Sequence, residues 1–374
     1  MKILAIESSC DETAIAIVDD QKKIHANIIK SQIEIHQQYG GVIPELSARA
    51  HLESIDHLIL KALAQAKLDF KDIDGFAGTS GPGLIGGLIV GITCAKTLSA
   101  IYKKPFLAVN HLQGHALIAR LEYDIDFPYL ILLVSGGHCQ ILLCYGVNDF
   151  YKIGETIDDA LGETFDKVAQ MLGLQYPGGP EIEKLALIST QKKFPLPRPL
   201  IDQKNHQHQF DFSFSGLKTA VRRTIEKITN EEFSHSTSAQ KILANDKADL
   251  CASFQRTVSD ILCNRIENVI KDNQELRKFN IKKLKLIITG GVACNQFIFN
   301  NIKELSTKHN FEILVPKKEY CTDNAVMIAW AGIEKLKINS TDSLSFKPRA
   351  KWPLAELKFS YTSTSTCLCC GYNI

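Results

Sequence analysis

The sequence lacks several features that would place it in a specialised class of proteins. Its 374 residues carry 43 Lys and Arg against 41 Asp and Glu, so the formal net charge is only +2. This balance excludes a uniformly basic nucleic-acid coat, although it permits a local basic patch. A composition typical of disorder is also missing, because 45% of the residues are hydrophobic and 22% are charged. We therefore expect a globular protein of two domains or one large split domain.

Disulfide, membrane-spanning and targeting patterns are missing as well. The 11 cysteines are an odd number without the spacing of a disulfide scaffold, which is typical of reduced core thiols. The most apolar long stretch, residues 84–101, is rich in glycine and interrupted by Lys96, so we expect no membrane span. A strand pattern begins at the N-terminus, which leaves no room for a targeting segment. These absences predict a cytoplasmic protein that does not bind membranes.

What the sequence does contain is an α/β pattern that occurs twice. Each copy predicts a strand pair around a polar turn, then a strand, a glycine-rich turn and a helix, then another strand and helix. The corresponding pairs are residues 2–20 with 128–146, residues 73–101 with 283–306, and residues 106–119 with 311–332. We therefore predict an α/β fold of two duplicated lobes, residues 1–127 and residues 128–340. A mostly helical insertion, residues 158–271, is predicted within the second lobe.

The glycine-rich turns indicate where a ligand would bind. In duplicated α/β folds, ligands lie at the carboxyl ends of the strands, where the two halves face each other. Glycine lets the backbone approach a phosphate closely, and the next helix N-terminus favours negative charge. A single turn of this kind is as often a simple tight connection. Four or more at equivalent positions favour a nucleotide or phosphate site.

Two histidines have the spacing of metal ligands. His111 and His115, in NHLQGHALIA (110–119), lie four residues apart at the start of a predicted helix, so both imidazoles share one face. The junction at His111 corresponds to the junction at Asp323 in the second copy, and a pseudo-twofold axis would bring Asp323 toward the histidines. This donor set suits Zn or Fe(II) better than Mg. The alternatives are a chance pair of helical histidines and a helix cap at Asp323.

The polar turns between the strand pairs offer further candidates. SSCDET (8–13) holds Asp11 and Glu12, and a carboxylate there can orient a metal, a water or an attacking amine. The alternative is a hairpin turn in which Asp11 makes a local hydrogen bond. The matching turn SGGH (135–138) is predicted to be a nest for an oxyanion or carboxylate.

Acidic and basic segments follow in the predicted insertion. Asp166 lies in an acidic helix, where it can accept ribose hydroxyls, although its spacing alone favours a solvated face. Residues 190–223 interleave basic and aromatic side chains, a pattern that suits single-stranded RNA or a tRNA loop. The alternative there is surface lysines and buried phenylalanines. A second basic run lies at residues 271–285.

The histidine spacing also invites comparison with zinc proteases, which use H-E-x-x-H. The second position here is Leu112, so the glutamate that acts as general base in such a protease is missing. This residue argues against peptide hydrolysis by that route.

Ten motifs occur together in one order over roughly residues 1–357. They are IESSCDETA, ARAHLE, TSGPGL, NHLQGH, VSGGH, GETIDDALGETFDK, YPGGP, FSFSGLK, GGVACN and CTDNA. With them the chain resembles the TsaD family of tRNA threonylcarbamoyladenosine synthases, once called O-sialoglycoprotein endopeptidases. The resemblance implies an actin-like, sugar-kinase-like fold. It also implies transfer of a threonylcarbamoyl group from threonylcarbamoyl-AMP to the N6 amine of the adenosine next to the anticodon, in tRNAs that read codons beginning with A.

The resemblance carries site roles over to matching positions. It implies that His111, His115 and Asp323 hold one divalent metal per subunit, Fe(II), with Zn or Mg as alternatives. It implies catalytic roles for Asp11 and Glu12. The residues implied to contact the adenylate are Val134, Ser135, Gly136, Gly137, His138, Asp166, Gly179, Glu183 and Asn295.

Partners and rivals complete the expectations. The resemblance implies a tRNA substrate, a paralogous accessory subunit and an ATPase subunit. The rival functions are a sugar or acetate kinase or ATPase of the same fold, a metallopeptidase, and a non-enzymatic scaffold subunit. Residues 358–374, with Cys367, Cys369 and Cys370, are predicted to be a disordered tail without a role in the reaction.

Overall fold

A computed structural model describes most of the chain. The described residues are 1–39, 41–189, 194–201, 206–234, 237–277 and 284–357. The predicted tail at 358–374, Lys192 and Lys193 of the first basic segment, and residues 278–283 of the second lie outside these ranges.

The β-strands of the described residues are numbered in chain order. They are β1 (Lys2–Glu7), β2 (Glu12–Asp19), β3 (Ile24–Ser31), β4 (Gly75–Gly81), β5 (Phe106–Asn110), β6 (Tyr129–Val134), β7 (Cys139–Gly146), β8 (Asp149–Glu155), β9 (Leu284–Thr289) and β10 (Phe311–Leu314).

The α-helices are numbered in the same way. They are α1 (Ile33–Gln37), α2 (Pro44–Leu52), α3 (Ile55–Ala66), α4 (Ile85–Tyr102), α5 (His111–Leu117), α6 (Ala119–Glu122), α7 (Leu161–Met171), α8 (Gly178–Ala186), α9 (Ser215–Thr229), α10 (Ser238–Lys241), α11 (Ala244–Asp272), α12 (Gln274–Arg277), α13 (Gln296–His309), α14 (Lys318–Cys321) and α15 (Ala325–Lys337). Short 3-10 helices lie at Phe70–Asp72, His206–His208, Gly291–Cys294 and Leu354–Glu356.

The strands form two five-stranded sheets with one topology. The first sheet has the order β3-β2-β1-β4-β5 and the second has β8-β7-β6-β9-β10. In each sheet the first three strands of the chain pair antiparallel, and the last two run parallel to the first. The central strands β1 and β6 are buried along almost their whole length, which explains their continuous apolar sequences. The predicted duplication and the α/β class are confirmed, whereas the exact lobe boundaries stay a prediction.

Two equivalent helices lie between the sheets. Helix α5 follows β5 and helix α15 follows β10, and the two pack on each other. Helix α15 also packs on β1 and β2 of the first sheet, although it follows the second sheet in the chain. The shared core includes Val109, Ile131 and Trp330, all almost fully buried. This core brings the start of α5 close to the loop that precedes α15.

The outer faces of the two sheets are covered differently. Helices α3 and α4 pack on the first sheet, with Ile59 and Ile92 in that core. The predicted insertion is mostly helical, and its helices bury Phe165, Leu217 and Phe254 against the second sheet.

Helix α4 is long and apolar enough to cross a membrane, the one such helix among the described residues. It packs against β4 and α2 through a face that includes Gly87, Gly91 and Ala95. A Cβ atom at Gly87 would lie 2.3 Å from the carbonyl oxygen of Ser8, so glycine is required for this close approach. These contacts explain the glycines within the apolar run as packing positions on the sheet.

Candidate active site

The two histidines occupy the first turns of α5. The Asn110 side chain accepts hydrogen bonds from the backbone N–H groups of Leu112 (2.9 Å) and Gln113 (3.4 Å), so it caps the helix N-terminus. The imidazoles of His111 and His115 then lie on one face, with ring centroids 4.8 Å apart. Both side chains are buried.

Asp323 reaches these histidines from the second half of the chain. Its Oδ1 lies 3.1 Å from His115 Nε2 and 3.4 Å from His111 Nε2. The cap of α15 is the next residue, Asn324, whose side chain accepts from Met327 N at 3.0 Å. Asp323 is therefore not the helix cap that was one interpretation of the sequence, and its carboxylate faces the histidines.

The three side chains fit a divalent metal ion. One ligand atom from each of His111, His115 and Asp323 lies within 4.8 Å of the others. His115 Nδ1 is buried and has no hydrogen-bond partner among the described residues. Two imidazoles and one carboxylate are donors that Zn or Fe(II) prefers, and they leave coordination positions for a substrate. The chemistry of the donor set thus supports the predicted metal site.

The carboxylate of Glu7, which the sequence reasoning missed, contacts Nδ1 of His111. Glu7, at the end of β1, has its Oε2 3.1 Å from His111 Nδ1. The same carboxylate accepts from Ser9 N at 2.7 Å and from Thr79 Oγ1 at 2.6 Å. An acidic residue closing the apolar strand KILAIE is a signal that could have found it, because a buried charge requires partners.

Electrostatics keeps the carboxylates of this cluster ionised. Burial alone would raise the pKa of Asp323, but the imidazoles of His111 and His115 lower it strongly. Burial likewise opposes ionisation of Glu7, and His111 outweighs it and lowers the pKa. The pKa of His111 is raised despite burial, by Asp323 and Glu7, whereas burial lowers the pKa of His115. The result is a cationic His111 between the carboxylates of Glu7 and Asp323.

The turn after β1 places two more predicted residues beside the cluster. Asp11 Oδ2 accepts a hydrogen bond from Tyr176 Oη at 3.4 Å, across the cleft from the insertion. Burial, then the negative charges of Asp11 and Asp323, raise the pKa of Glu12, so Glu12 keeps its proton to a higher pH than an ordinary carboxyl group. Tyr176, in the motif YPGGP, is a site residue that the sequence reasoning did not single out.

A buried polar network anchors this turn. The carbonyl oxygen of Cys10 accepts hydrogen bonds from Ser47 Oγ and from His51 Nε2, the latter at 3.1 Å. His51 Nδ1 in turn lies 2.7 Å from Thr13 Oγ1. The network fixes the backbone on both sides of Asp11, which explains the buried histidine of ARAHLE.

Glycines from separate turns face open space at the same cleft. A Cβ atom at Gly136, Gly137, Gly179 or Gly291 would contact nothing within 4 Å. By contrast, Gly290 has a φ of +98° and approaches the backbone of Val134, where a Cβ atom would lie 2.4 Å from the carbonyl oxygen. The loop Ser135–His138 is therefore packed against Gly290 on one side and open at Gly136 and Gly137 on the other, as a ligand-binding turn requires.

The predicted adenylate contacts Asp166, Glu183 and Asn295 are engaged with backbone groups. Asp166 Oδ1 accepts from Gly178 N at 2.7 Å, and burial raises the pKa of Asp166 to about 6. Glu183 Oε1 accepts from Gln296 N at 2.7 Å. Asn295 Oδ1 accepts from Ile298 N at 3.0 Å, so the capping interpretation of Asn295 is confirmed. Contact of these side chains with a ligand stays a prediction.

The cluster of His111, His115 and Asp323 lies in the same cleft as the glycine turns. Burial, together with the neighbouring His111 and His115, lowers the pKa of His138 to about 4. Tyr176 spans from the insertion to Asp11, and it also lines a cavity of about 270 Å³ beside Asp166. The cleft therefore lies between the duplicated halves, where the sequence predicted a ligand.

The prediction that aromatic side chains of residues 190–223 stack on RNA bases is wrong for Phe212 and Phe214. Phe212 and Phe214 are fully buried and stack on each other with centroids 6.1 Å apart, so they cannot stack on bases. Lys218 Nζ forms an ion pair with Asp159 Oδ2 at 2.5 Å. Arg222, which is 58% exposed, remains a solvent-facing cation of this segment. The alternative of buried phenylalanines describes these two positions.

Comparisons with known proteins identify the family of the chain. The sequence profile of the family TsaD, tRNA N6-adenosine threonylcarbamoyltransferase, matches residues 23–330. A tRNA N6-adenosine threonylcarbamoyltransferase of Bartonella tribocorum is 49% identical over 364 residues, which cover 95% of this chain and 96% of the relative. The Brucella anthropi protein of the same name is 48% identical over 365 residues, with coverage of 95% and 96%.

Two solved structures share the fold at low sequence identity. HypF of T. kodakarensis has a TM-score of 0.57 and 14% identity, covering 90% of this chain and 48% of that one. Component A of (R)-2-hydroxyglutaryl-CoA dehydratase from Acidaminococcus fermentans has a TM-score of 0.50 and 16% identity, covering 90% and 99%. The fold is thus of the actin-like, sugar-kinase-like class, as predicted. With a family match over most of its length and relatives nearly half identical to it, the chain belongs to the TsaD family of tRNA N6-adenosine threonylcarbamoyltransferases.

Proposed function

We propose that this chain transfers the threonylcarbamoyl group from threonylcarbamoyl-AMP to the N6 amine of the adenosine next to the anticodon. The tRNAs are those that read codons beginning with A. The observation that carries the proposal is the convergence of His111, His115 and Asp323 beside Asp11 and an open glycine-lined loop. Its relatives of 49% and 48% identity are named for this transferase activity.

The glycine turns are the proposed site of the donor adenylate. The backbone N–H groups of Gly136 and Gly137 can donate to phosphate oxygens, and the open space at these glycines leaves room for them. The Asp166 carboxylate can accept ribose hydroxyls beside Gly179. Glu183 and Asn295 hold the start of α13 against this surface.

The metal proposal follows from the donor set. His111, His115 and Asp323 would hold one divalent ion, Fe(II), with Zn or Mg as alternatives. When bound, such an ion supplies a Lewis acid that stabilises negative charge developing on the donor. Glu7 fixes the ring of His111 by taking a hydrogen bond at Nδ1, so that Nε2 faces Asp323.

Chain residues position the weak RNA nucleophile. The N6 amine attacks the carbamoyl carbon, a C–N bond forms, the bond from that carbon to the phosphate oxygen breaks, and AMP leaves. The carboxylate of Asp11, held by Tyr176 and its anchored turn, is proposed to orient the amine and accept the proton it loses. Glu12, which keeps its proton to higher pH, can donate a hydrogen bond to Asp11 or to substrate.

The rival functions find less support. Leu112 is buried and apolar where a zinc protease of the H-E-x-x-H type carries its catalytic glutamate. A kinase or ATPase of the same fold has no need of a paired histidine site with a carboxylate. A scaffold subunit predicts a decayed site, whereas the ligand atoms here converge. The paralogous subunit, the ATPase subunit and the cytoplasmic location stay predictions.

The proposed function is tested in a cell whose own gene for this activity has been depleted. We expect mass spectrometry of tRNA nucleosides to show loss of threonylcarbamoyladenosine, and expression of this chain to restore it. The His111→Ala, His115→Ala double variant is the matched inactive control. Threonylcarbamoyladenosine that stays absent although the folded chain is expressed in the depleted cell would contradict the proposal.

A further prediction concerns the effect of Glu7 on metal affinity. Glu7→Gln keeps the side-chain shape but removes the charge that orients His111, so we expect metal affinity to fall by about 10- to 100-fold. A competition titration with a coloured chelator measures this directly, without the transfer reaction. Glu34→Gln, an exposed carboxylate on α1, should leave the affinity unchanged. Equal affinities of the Glu7 variant and the unchanged protein would remove Glu7 from the metal site.

A further inference from the structure

A chain of buried hydrogen bonds extends from the Asp11 turn to the start of α2. Besides His51 it contains Gln32 and His36, and all of these side chains are almost fully buried. Gln32 Nε2 lies 3.3 Å from His51 Nδ1, and Gln32 Oε1 lies 3.2 Å from His36 Nε2. His36 Nδ1 in turn lies 3.3 Å from the backbone nitrogen of Ile43, the residue before α2. The chain therefore links two segments that are separated by the whole of β2 and β3.

The donors and acceptors of this chain fit in only one direction. The backbone N–H of Ile43 can only donate, so His36 Nδ1 is the acceptor and the hydrogen of His36 lies on Nε2. That N–H donates to Oε1 of Gln32, which turns the NH2 group of Gln32 toward His51. Because an amide NH2 group can only donate, His51 Nδ1 is an acceptor and His51 carries its hydrogen on Nε2. Both imidazoles are therefore neutral and share one tautomer.

His51 delivers its single N–H to the backbone beside Asp11. Its Nε2 donates to the carbonyl oxygen of Cys10 at 3.1 Å, and Thr13 Oγ1 lies 2.7 Å from Nδ1 on the other edge of the ring. Burial lowers the pKa of His51, which agrees with a neutral ring. The backbone N–H of Gln32 donates to the carbonyl oxygen of Asp11 at 2.9 Å. The peptide groups on both sides of the Asp11 Cα atom are thus held, and this sets the direction of its side chain.

The ring of His51 is also confined by packing. A Cβ atom at Gly87 would lie 3.0 Å from its Nε2 and Cδ2 atoms, so the ring packs directly on the backbone of α4. Ser47 Oγ lies 3.2 Å from Nε2 and donates to the same carbonyl oxygen of Cys10. A ring that is packed on its face and hydrogen-bonded on both edges keeps one orientation. The carbonyl group that it holds is fixed with it.

We propose that His51 is a positioning residue of the transfer step, which holds the Cys10 carbonyl so that the Asp11 carboxylate faces the attacking amine. Gln32 and His36 keep His51 in the one tautomer that can make this bond. The inference rests on the proposed function, in which Asp11 orients the N6 amine. His51 is fully buried, so it acts through Asp11 and not by contact with substrate.

The tautomers are tested without the transfer reaction. The full-length protein is labelled with nitrogen-15 histidine, and the ring nitrogen resonances are recorded by NMR at neutral pH. The signals that are lost in His36→Gln and in His51→Gln assign the two rings. We expect both rings to be neutral, with the hydrogen on Nε2. A hydrogen on Nδ1 of His51 would overturn the proposal, whether or not the chain is an active transferase.

The positioning role is tested by single-turnover transfer to tRNA. His51→Leu removes the N–H at similar volume, and we expect the transfer rate to fall by about 10²-fold, the effect of misplacing a reacting group by about 1 Å. Metal content and donor affinity should change little. His51→Gln can place an N–H close to the position of Nε2 and should restore most of the rate. His57→Gln, at an exposed position on α3, is the matched control and should leave the rate unchanged.

Several results would overturn the positioning role. Equal losses of rate in His51→Leu and His51→Gln would do so, because the N–H would then have no part in the effect. A loss of donor affinity as large as the loss of rate would indicate a merely structural role. Circular dichroism checks the fold, and if His51→Leu is unfolded, Gln32→Met takes its place, for which a full rate is the contradicting result. An unchanged protein that transfers nothing would instead refute the proposed function.

Discussion

Replacing His111 and His115 together with alanine is expected to strip the metal from the purified protein and to abolish transfer to tRNA. The two imidazoles supply two of the three converging ligand atoms, and Asp323 alone cannot retain a transition metal. A Lewis acid contributes several kcal/mol to such a transition state, so the rate should fall by about 10³-fold or more. Elemental analysis and a tRNA assay with added donor measure the two effects.

A matched control separates this effect from a general loss of histidine. His57 is exposed on α3, and His57→Ala should change neither metal content nor rate. The double variant removes two buried rings, so its thermal unfolding is compared with that of the unchanged protein in the presence of a chelator. Unchanged metal content in a folded double variant would refute the ligand assignment.

Replacing Asp11 with asparagine is expected to leave donor binding intact and to slow transfer by about 10²- to 10⁴-fold, the range for loss of a general base. Asparagine keeps the size of the side chain and can still accept the hydrogen bond from Tyr176. It cannot accept the proton of the attacking amine. Calorimetry with a non-hydrolysable donor analogue and single-turnover transfer to tRNA measure binding and rate separately.

The result for Asp11 is interpretable against two other variants. Asp260→Asn changes an exposed carboxylate on α11 and should have no effect on either measurement. Tyr176→Phe removes only the hydroxyl that contacts Asp11, and a smaller loss of rate is expected for it. A full rate for Asp11→Asn in purified components would remove Asp11 from the mechanism.

Much of this site followed from local patterns. The helical spacing of His111 and His115 depends on residues four apart, and an N-capped helix places them on one face whatever surrounds it. Asp323 was predicted from the internal repeat, because equivalent junctions of a duplicated fold face each other. The identical strand orders of the two sheets bear that repeat out.

Other parts of the site depended on residues far apart in the chain. Glu7 contacts His111 across 104 positions, and that contact exists because β1 and β5 flank β4 in one sheet. Tyr176 meets Asp11 across 165 positions. No periodicity relates such residues, so their contacts come from sheet register and the docking of the insertion.

The predicted RNA-binding segment, residues 190–223, also shows what a sequence pattern leaves undecided. Interleaved aromatic and basic residues are compatible with a surface that stacks on bases. They are equally compatible with buried phenylalanines between solvent-exposed cations. Burial of Phe212 and Phe214 against the second sheet decides for the core at those positions. Hydrophobic burial is a property of the packed layers, and a one-dimensional pattern cannot report it.

The sequence by itself determined the duplicated α/β architecture, the family, the histidine pair and the glycine turns, because each depends on short-range spacing or on motif order. Only the tertiary structure decided that Asn324 rather than Asp323 caps α15, that Glu7 supports His111, and that Tyr176 contacts Asp11. The physical reason is that helix α15 returns to the first sheet and buries its apolar faces between the two halves. That packing carries the loop of Asp323 across the cleft to side chains that the chain order leaves far apart.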